Sequence, residues 1–526
     1  MKRFVCRAAV LTFASAAIAT SARAQQAQTE RPQLVVLISV DQMRADLVDR
    51  YASEFTGGFK RFLDDGFRFT QASHAHAVTH TAAGHATLST GCFPSRSGIV
   101  ANNWRQKVGS TWQDMYAVQD TASHIVGVQG LEGRSPRNLL RTGLADWVAA
   151  ADPDALVVSL SGKDRAAITM AGKSHGQVYW LAPSLGRFVT SVYYRDSYPD
   201  WITRFNDEQM PVLWADTAWV EEVPAGERGL ARADSADYEN GGHSTFPHLA
   251  SQEGVTNQAQ RYAWLASTPA SDRAVAALAQ AAVSALDLGQ RGHVDYLGLS
   301  FSSTDYVGHA FGPYSQEQLD NLLRLDKELG ALFAFLDANV GAGRWVAALS
   351  ADHGVLPMPE YLRSEGQGAA RVNSQEFGAA LTQAVRDARA AGGTDEAIAQ
   401  RLARTVEERG LVAKAYTERD LTVHEPVDSF AVLFRNSHYP GRAAGWLSVY
   451  GVEVRTGYEH LVAGPTGTSH GSPYWYDRHV PFMLLGAGVE KGSSDQGVYT
   501  VDVAPTLAAL ADIATPDDLD GRDVYR

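Results

Sequence analysis

Three short apolar runs constrain this chain more than any other feature. Leu34 to Val40 reads LVVLISV, Val294 to Phe301 reads VDYLGLSF, and Trp345 to Ser350 reads WVAALS. A run of strand length that is apolar at consecutive positions describes a strand buried on both faces, as in a parallel sheet with helices above and below. Acidic residues follow each run: Asp41 after the first, Asp305 after the second, Asp352 with His353 after the third. Open α/β sheets build their sites beyond the C-terminal ends of their strands, so the acids stand where a site is expected.

Helical patterns alternate with the strands at Arg273 to Leu288, Gln316 to Ala338 and Val501 to Ile513, and further strands are expected at Ala155 to Leu160 and Val480 to Leu485. The alternation predicts an α/β fold, a mostly parallel central sheet sandwiched by helices. At 526 residues the chain exceeds one simple core. Ser191 to about Pro269 and Pro357 to about Pro465 break the rhythm with turn-forming residues. The expected division is a catalytic core from residues 31–182, 290–356 and 465–526, with cap insertions at 183–289 and 357–464.

Residues 1–24 read as a secretory signal: Lys2, Arg3 and Arg7 precede the apolar run Ala8 to Ala19, and Ala22-Arg23-Ala24 offers a cleavage site. No later segment has the roughly 18 uninterrupted apolar residues of a membrane span, so the mature chain is expected in a periplasmic or extracellular space with no membrane partner. Cys6 leaves with the signal, and Cys92 alone cannot form an internal disulfide. The formal charge is −13, and loss of Lys2, Arg3, Arg7 and Arg23 takes it to −17, which argues against nucleic acid as a standing partner.

Metal-ligand chemistry gathers at the strand ends. Asp305 and His309 stand one helical turn apart in STDYVGH, and Asp352-His353 is followed by Gly354. Neighbours on a strand point to opposite faces, so one metal can take both Asp352 and His353 only if the chain turns there, which glycine permits. Asp41 and His470, the latter in TSHGS, complete six candidates. Three carboxylates and three imidazoles suit two zinc ions. His479 competes with His470, but precedes a buried strand immediately.

Thr81 precedes a helix-compatible run, Ala82 to Ser89, that stops at Thr90-Gly91. A hydroxyl there faces free backbone N–H groups and the positive helix end, which favour a bound anion. Thr81 is therefore the candidate nucleophile, although threonine is also an ordinary helix cap.

Seven ordered motifs now carry a resemblance. They are VDQMR (Val40 to Arg44), HTAAGH (His80 to His85), GIVANNW (Gly98 to Trp104), GKDRAA (Gly162 to Ala167), STDYVGH (Ser303 to His309), ADHG (Ala351 to Gly354) and SHGSP (Ser469 to Pro473). Together they resemble the alkaline phosphatase superfamily, and within it the threonine-nucleophile, phosphate-irrepressible alkaline phosphatases. The resemblance implies one zinc on Asp305, His309 and His470 and a second on Asp41, Asp352 and His353, with Thr81 reaching the second as it attacks phosphorus. A phosphothreonine intermediate is implied, as is an Asn102 amide donating to a nonbridging oxygen.

Lys163 and Arg165 narrow the implied substrate. A monoester carries up to two charges and three free oxygens, a diester one charge and two, so added cations favour the monoester. The expected activity is hydrolysis of small phosphorylated metabolites, by a monomer. A phosphodiesterase or nucleotide pyrophosphatase of the same superfamily is the nearest alternative. A sulfatase is less favoured: Cys92-Phe93-Pro94-Ser95-Arg96 resembles the sulfatase motif C-x-P-x-R, but that likeness implies a Thr-Gly pair nine positions after the cysteine, whereas here Thr90-Gly91 precedes Cys92 and lies nine after Thr81, which gives the nucleophile's place to Thr81. A noncatalytic metal-binding protein is the remaining reading. Structural calcium in the acidic cap is left open.

Overall fold

The three apolar runs lie side by side in the middle of one sheet. In a computed structural model describing residues 31–109, 111–423, 425–444, 451–456 and 461–526, nine strands form it. They are β1 (Leu34–Val40), β2 (Phe67–Ser73), β3 (Val157–Ser161), β4 (Gln177–Ala182), β5 (Arg187–Val189), β6 (Asp295–Phe301), β7 (Trp345–Ser350), β8 (Phe482–Gly486) and β9 (Gly492–Tyr499). Their order is β9-β2-β8-β7-β1-β6-β3-β4-β5. Five of the eight pairings are parallel; β8 runs antiparallel to both its neighbours, and β5 to β4. The expected signal segment lies outside the described residues, among which no helix is long and apolar enough to cross a membrane.

Burial on both faces explains why β1 is apolar at every position but Ser39. Leu34, Val36, Ile38 and Val40 enter one core cluster with helices α3 (Ala270–Leu286) and α5 (Gln316–Leu336), while Val35 and Leu37 enter another with α6 (Val503–Leu510). The period-two alternation sends these six side chains into the two cores, each contributing roughly 1.5–3 kcal/mol. The remaining helices used below are α1 (Thr81–Thr90), α2 (Asp164–Met170) and α4 (Ser303–Phe311).

Helix α3 packs on β6 and β3. It belongs to the covering layer, although it falls inside the segment 183–289 read as an insertion. Before it, that segment supplies β5 to the central sheet and then holds short elements, including the strand pair Ala218–Trp219 and His248–Leu249 and the helix Gln258–Ala266. The segment 357–464 carries its own small core, built on helices Ser374–Ala390 and Asp395–Glu408.

Candidate metal centre and nucleophile

Strand register brings the acids together. β1 pairs in parallel with β6 from Leu34↔Asp295 to Val40↔Phe301, and with β7 from Leu34↔Trp345 to Ser39↔Ser350. Asp41 and Asp352 therefore leave adjacent strands at one level, and α4 starts just beyond β6 with Asp305 in its first turn and His309 in its last. Asp352 and His353 both point to one place because β7 ends at Ser350, so alternation across a strand no longer governs them. Gly354 is required for a different reason than a left-handed turn: a Cβ there would come 2.3 Å from the Tyr476 carbonyl oxygen.

Two groups result. Ligand atoms of Asp305, His309 and His470 lie within 4.8 Å of one another, and so do those of Asp41, Asp352 and His353. The imidazoles of His353 and His470 stack across the two groups, centroids 3.5 Å apart. His479 belongs to neither; its Nε2 donates to the Thr70 carbonyl.

Each of the three histidines is oriented through its other nitrogen. Nδ1 of His309 donates to the Thr468 carbonyl at 2.8 Å, Nδ1 of His470 to that of Thr79 at 2.7 Å, and Nδ1 of His353 to that of Gly354 at 3.0 Å. The carbonyl can only accept, so in the neutral ring each Nε2 has its lone pair turned into its group, the arrangement in which a metal ligand is held. His309 Nε2 stands 3.2 Å from Asp305 Oδ1, and His353 Nε2 stands 3.3 Å from Asp352 Oδ2. Burial depresses the pKa of both His353 and His470, keeping the neutral, ligating form.

The donor set fits divalent cations. Asp41, Asp352 and His353 are fully buried, and Asp41 Oδ1 has no hydrogen-bond partner. Burial, reinforced by the Asp352 charge, pushes the Asp41 pKa well above the carboxylate range. A cation shared by these oxygens and ring nitrogens removes that penalty. A third group, Asp152, Asp154 and His293, lies at the opposite end of the sheet, before β3 and β6. Among the described residues no such group that could hold calcium lies in the cap segments 183–289 or 357–464.

Thr81 is the first residue of α1, so the helix starts one residue earlier than its apolar run indicates. All ten residues of α1 are buried. The hydroxyl does not cap the helix; Oγ1 lies 3.5 Å from His353 Nε2 and 3.4 Å from Arg165 Nη2. Asn102 Oδ1 accepts the Ala82 N–H at 2.8 Å, which puts its Nδ2, a donor, beside the helix N-terminus.

Lys163 differs in detail from the sequence expectation. Its Nζ lies 2.7 Å from Asp41 Oδ2 and 2.5 Å from Asp305 Oδ2, one carboxylate from each group. Those two carboxylates hold its pKa above the ordinary lysine value despite burial. Tyr306 covers the ammonium, 4.8 Å from ring centroid to Nζ.

Four residues near the centre carried no firm sequence signal. His85, one helical turn after Thr81 in HTAAGH, has Nδ1 2.8 Å from the Thr81 carbonyl and 3.2 Å from Asp352 Oδ2, with Nε2 2.9 Å from Ser300 Oγ. Its place one turn after Thr81 was visible; its long-range partners were not. Asp272, inside α3, accepts the Ser302 and Ser303 N–H groups at 2.8 and 3.0 Å and so anchors the start of α4. Tyr306 and Gln42 complete the set. Cys92 is fully buried, as a small core residue would be.

Known proteins resemble this chain over nearly all its length. Residues 35–444 match the type I phosphodiesterase / nucleotide pyrophosphatase family. The alkaline phosphatase PhoV of Synechococcus elongatus is 32% identical, with 94% of this chain and 92% of the relative covered. The alkaline phosphatase PafA of Elizabethkingia meningoseptica is 30% identical, with 94% of each covered. A crystal structure of alkaline phosphatase PafA, in a variant changed at a threonine, an asparagine, a lysine and an arginine, superposes with a TM-score of 0.84 at 27% identity, covering 94% of this chain and 98% of that one.

Proposed function

The chain belongs to the type I phosphodiesterase / nucleotide pyrophosphatase family and is an alkaline phosphatase within it, and from that premise we propose that it cleaves phosphate monoesters through Thr81 at a two-zinc centre. One observation carries the reading: the Thr81 hydroxyl, at the start of a buried helix, lies between His353 of one metal-ligand group and the Arg165 guanidinium.

Asp305, His309 and His470 would hold one zinc, and Asp41, Asp352 and His353 the other. Bound there, zinc lowers the pKa of a coordinated hydroxyl and takes up charge on the departing oxygen. Thr81 Oγ1 attacks phosphorus; a P–O bond to threonine forms as the bond to the leaving alcohol breaks. Water then attacks the phosphothreonine, releasing inorganic phosphate and restoring the hydroxyl. Arg165, the Asn102 amide and the positive N-terminal end of α1 bind the nonbridging oxygens, while Lys163 supplies a fixed positive charge between the two groups.

The excess of cation supports monoesters over diesters. Phosphodiesterase activity, named in the family's description, is the second reading. The segments before α3 and within 357–464 are proposed as the cap that selects the alcohol portion of small phosphorylated metabolites. Export rests on the leader-like residues 1–24, and a monomer is the proposed state. The test is the ratio of kcat/KM for an aryl phosphate monoester to that for the matching diester, on protein stripped with chelator and reloaded with zinc. A large, zinc-dependent monoester preference supports the reading; a diester preference replaces it with the second.

A further inference from the structure

The residue directly after the first metal-ligand aspartate has an uncommon backbone. Gln42 adopts φ 69°, in the left-handed region that a glutamine seldom occupies. Its side chain is fully buried. Residues are kept in such conformations only where the surroundings over-determine them, most often at a functional site.

The bonds made from that conformation explain it. The Gln42 backbone N–H donates to Asp352 Oδ1 at 3.0 Å, and its side-chain Nε2 donates to Asp305 Oδ1 at 2.7 Å. One residue thus holds a carboxylate from each metal-ligand group. The facing helix leaves room for it: a Cβ on Gly308 would come 1.8 Å from Gln42 Oε1, the end of a flexible side chain that would have to move. Gly308 immediately precedes the ligand His309.

We propose that Gln42 is a positioning residue for the metals, its amide aiming Asp305 and its backbone aiming Asp352, so that the two groups are set in a common frame. The inference rests on the two-metal reading above. It assigns different parts of Gln42 to different ions. The side chain serves the Asp305–His309–His470 group alone, while the backbone contact to Asp352 survives any substitution that keeps the turn.

Gln42→Gly separates the two, since glycine adopts the left-handed conformation freely but has no amide. Gly308→Ala displaces the same amide from the other side. Stepwise zinc affinities, measured by chelator competition on each full-length protein, should show one site weakened 10- to 100-fold in both variants, the range found for loss of a partner behind a metal ligand, and the second changed by less than about threefold. The melting temperature of the zinc-free protein should not fall in Gln42→Gly. In the double variant Gly308→Ala should add nothing, because the group it displaces is gone. Unchanged affinities in Gln42→Gly, while the parent binds two zinc ions, would overturn the inference. Equal weakening of both sites, or additive effects in the double variant, would overturn it too. A parent that fails to bind two ions instead overturns the two-metal reading.

Discussion

His353 and His470 lie face to face, their rings 13° from parallel and 3.5 Å apart, although one follows a sheet strand and the other sits in a distant loop. Each ring is pinned by an Nδ1 bond to a backbone carbonyl, so neither can turn without breaking a hydrogen bond or the stack. The two metal-ligand groups are therefore one packed unit.

Metal removal should consequently lower stability as well as activity. The buried carboxylates of Asp41, Asp305 and Asp352 lose the cations that offset their desolvation. With zinc at ~1,000 times its dissociation constant, each site adds about 4 kcal/mol to the native state. Calorimetry of chelated and zinc-loaded protein should show a rise in Tm that returns with zinc; identical melting curves would remove these residues from metal binding.

Thr81→Ala should reduce monoester turnover by at least ~10³-fold, because it deletes the attacking oxygen and leaves the surrounding charges in place. Thr81→Ser should keep much of the rate. Single-turnover assays with a labelled monoester would detect phosphoenzyme in the serine variant and none in alanine. An active alanine variant would transfer the nucleophile's role elsewhere.

Arg165→Ala should discriminate between substrates. A charge-assisted hydrogen bond is worth ~1.5–3 kcal/mol, or roughly 10- to 100-fold in rate. The monoester, with three free oxygens and more charge, should lose most of that, and the diester much less. Comparable losses in kcat/KM for the two would confine the guanidinium to a structural role.

Away from the centre, His248 gives the fold a pH dependence. Its two ring nitrogens face Glu317 Oε1 at 3.1 Å and Glu253 Oε1 at 3.2 Å, so only the imidazolium satisfies both. Burial opposes the charge, but the two carboxylates outweigh it and raise the His248 pKa to about 9. The partners respond differently: Glu253, partly exposed, is held low, while burial keeps fully enclosed Glu317 raised.

A folded pKa above the unfolded value means that the native state holds the proton more tightly. The stabilisation is complete below pH ~6.5, declines as pH rises toward about 9, and is gone above it. It amounts to at most on the order of 3 kcal/mol. Urea midpoints followed from pH 6 to 10 should fall through this window in the parent and fall less in His248→Gln. Parallel pH curves would mean the histidine is neutral throughout.

The amino-acid sequence by itself determined the sheet's centre, its three acid-bearing strand ends, the helix at Thr81, and the seven motifs whose order carries the family likeness. Such features are local: consecutive apolar residues can only be buried on both faces, and a residue following a strand must emerge at its edge. Tertiary structure decided which distant groups meet. The strand directly after His479 already favoured His470 in the sequence; the loop's path, with Thr79 accepting from His470 and Thr70 from His479, is what brings one ring to Asp305 and carries the other away. His85 and Gln42 became part of the centre through contacts with Asp352 and Asp305 made across the sheet edge. Gly354 looked like a turn and proved to be space for a passing carbonyl. Loop path and side-chain contact depend on packing between segments far apart in the chain, and no local pattern of residue types encodes that packing.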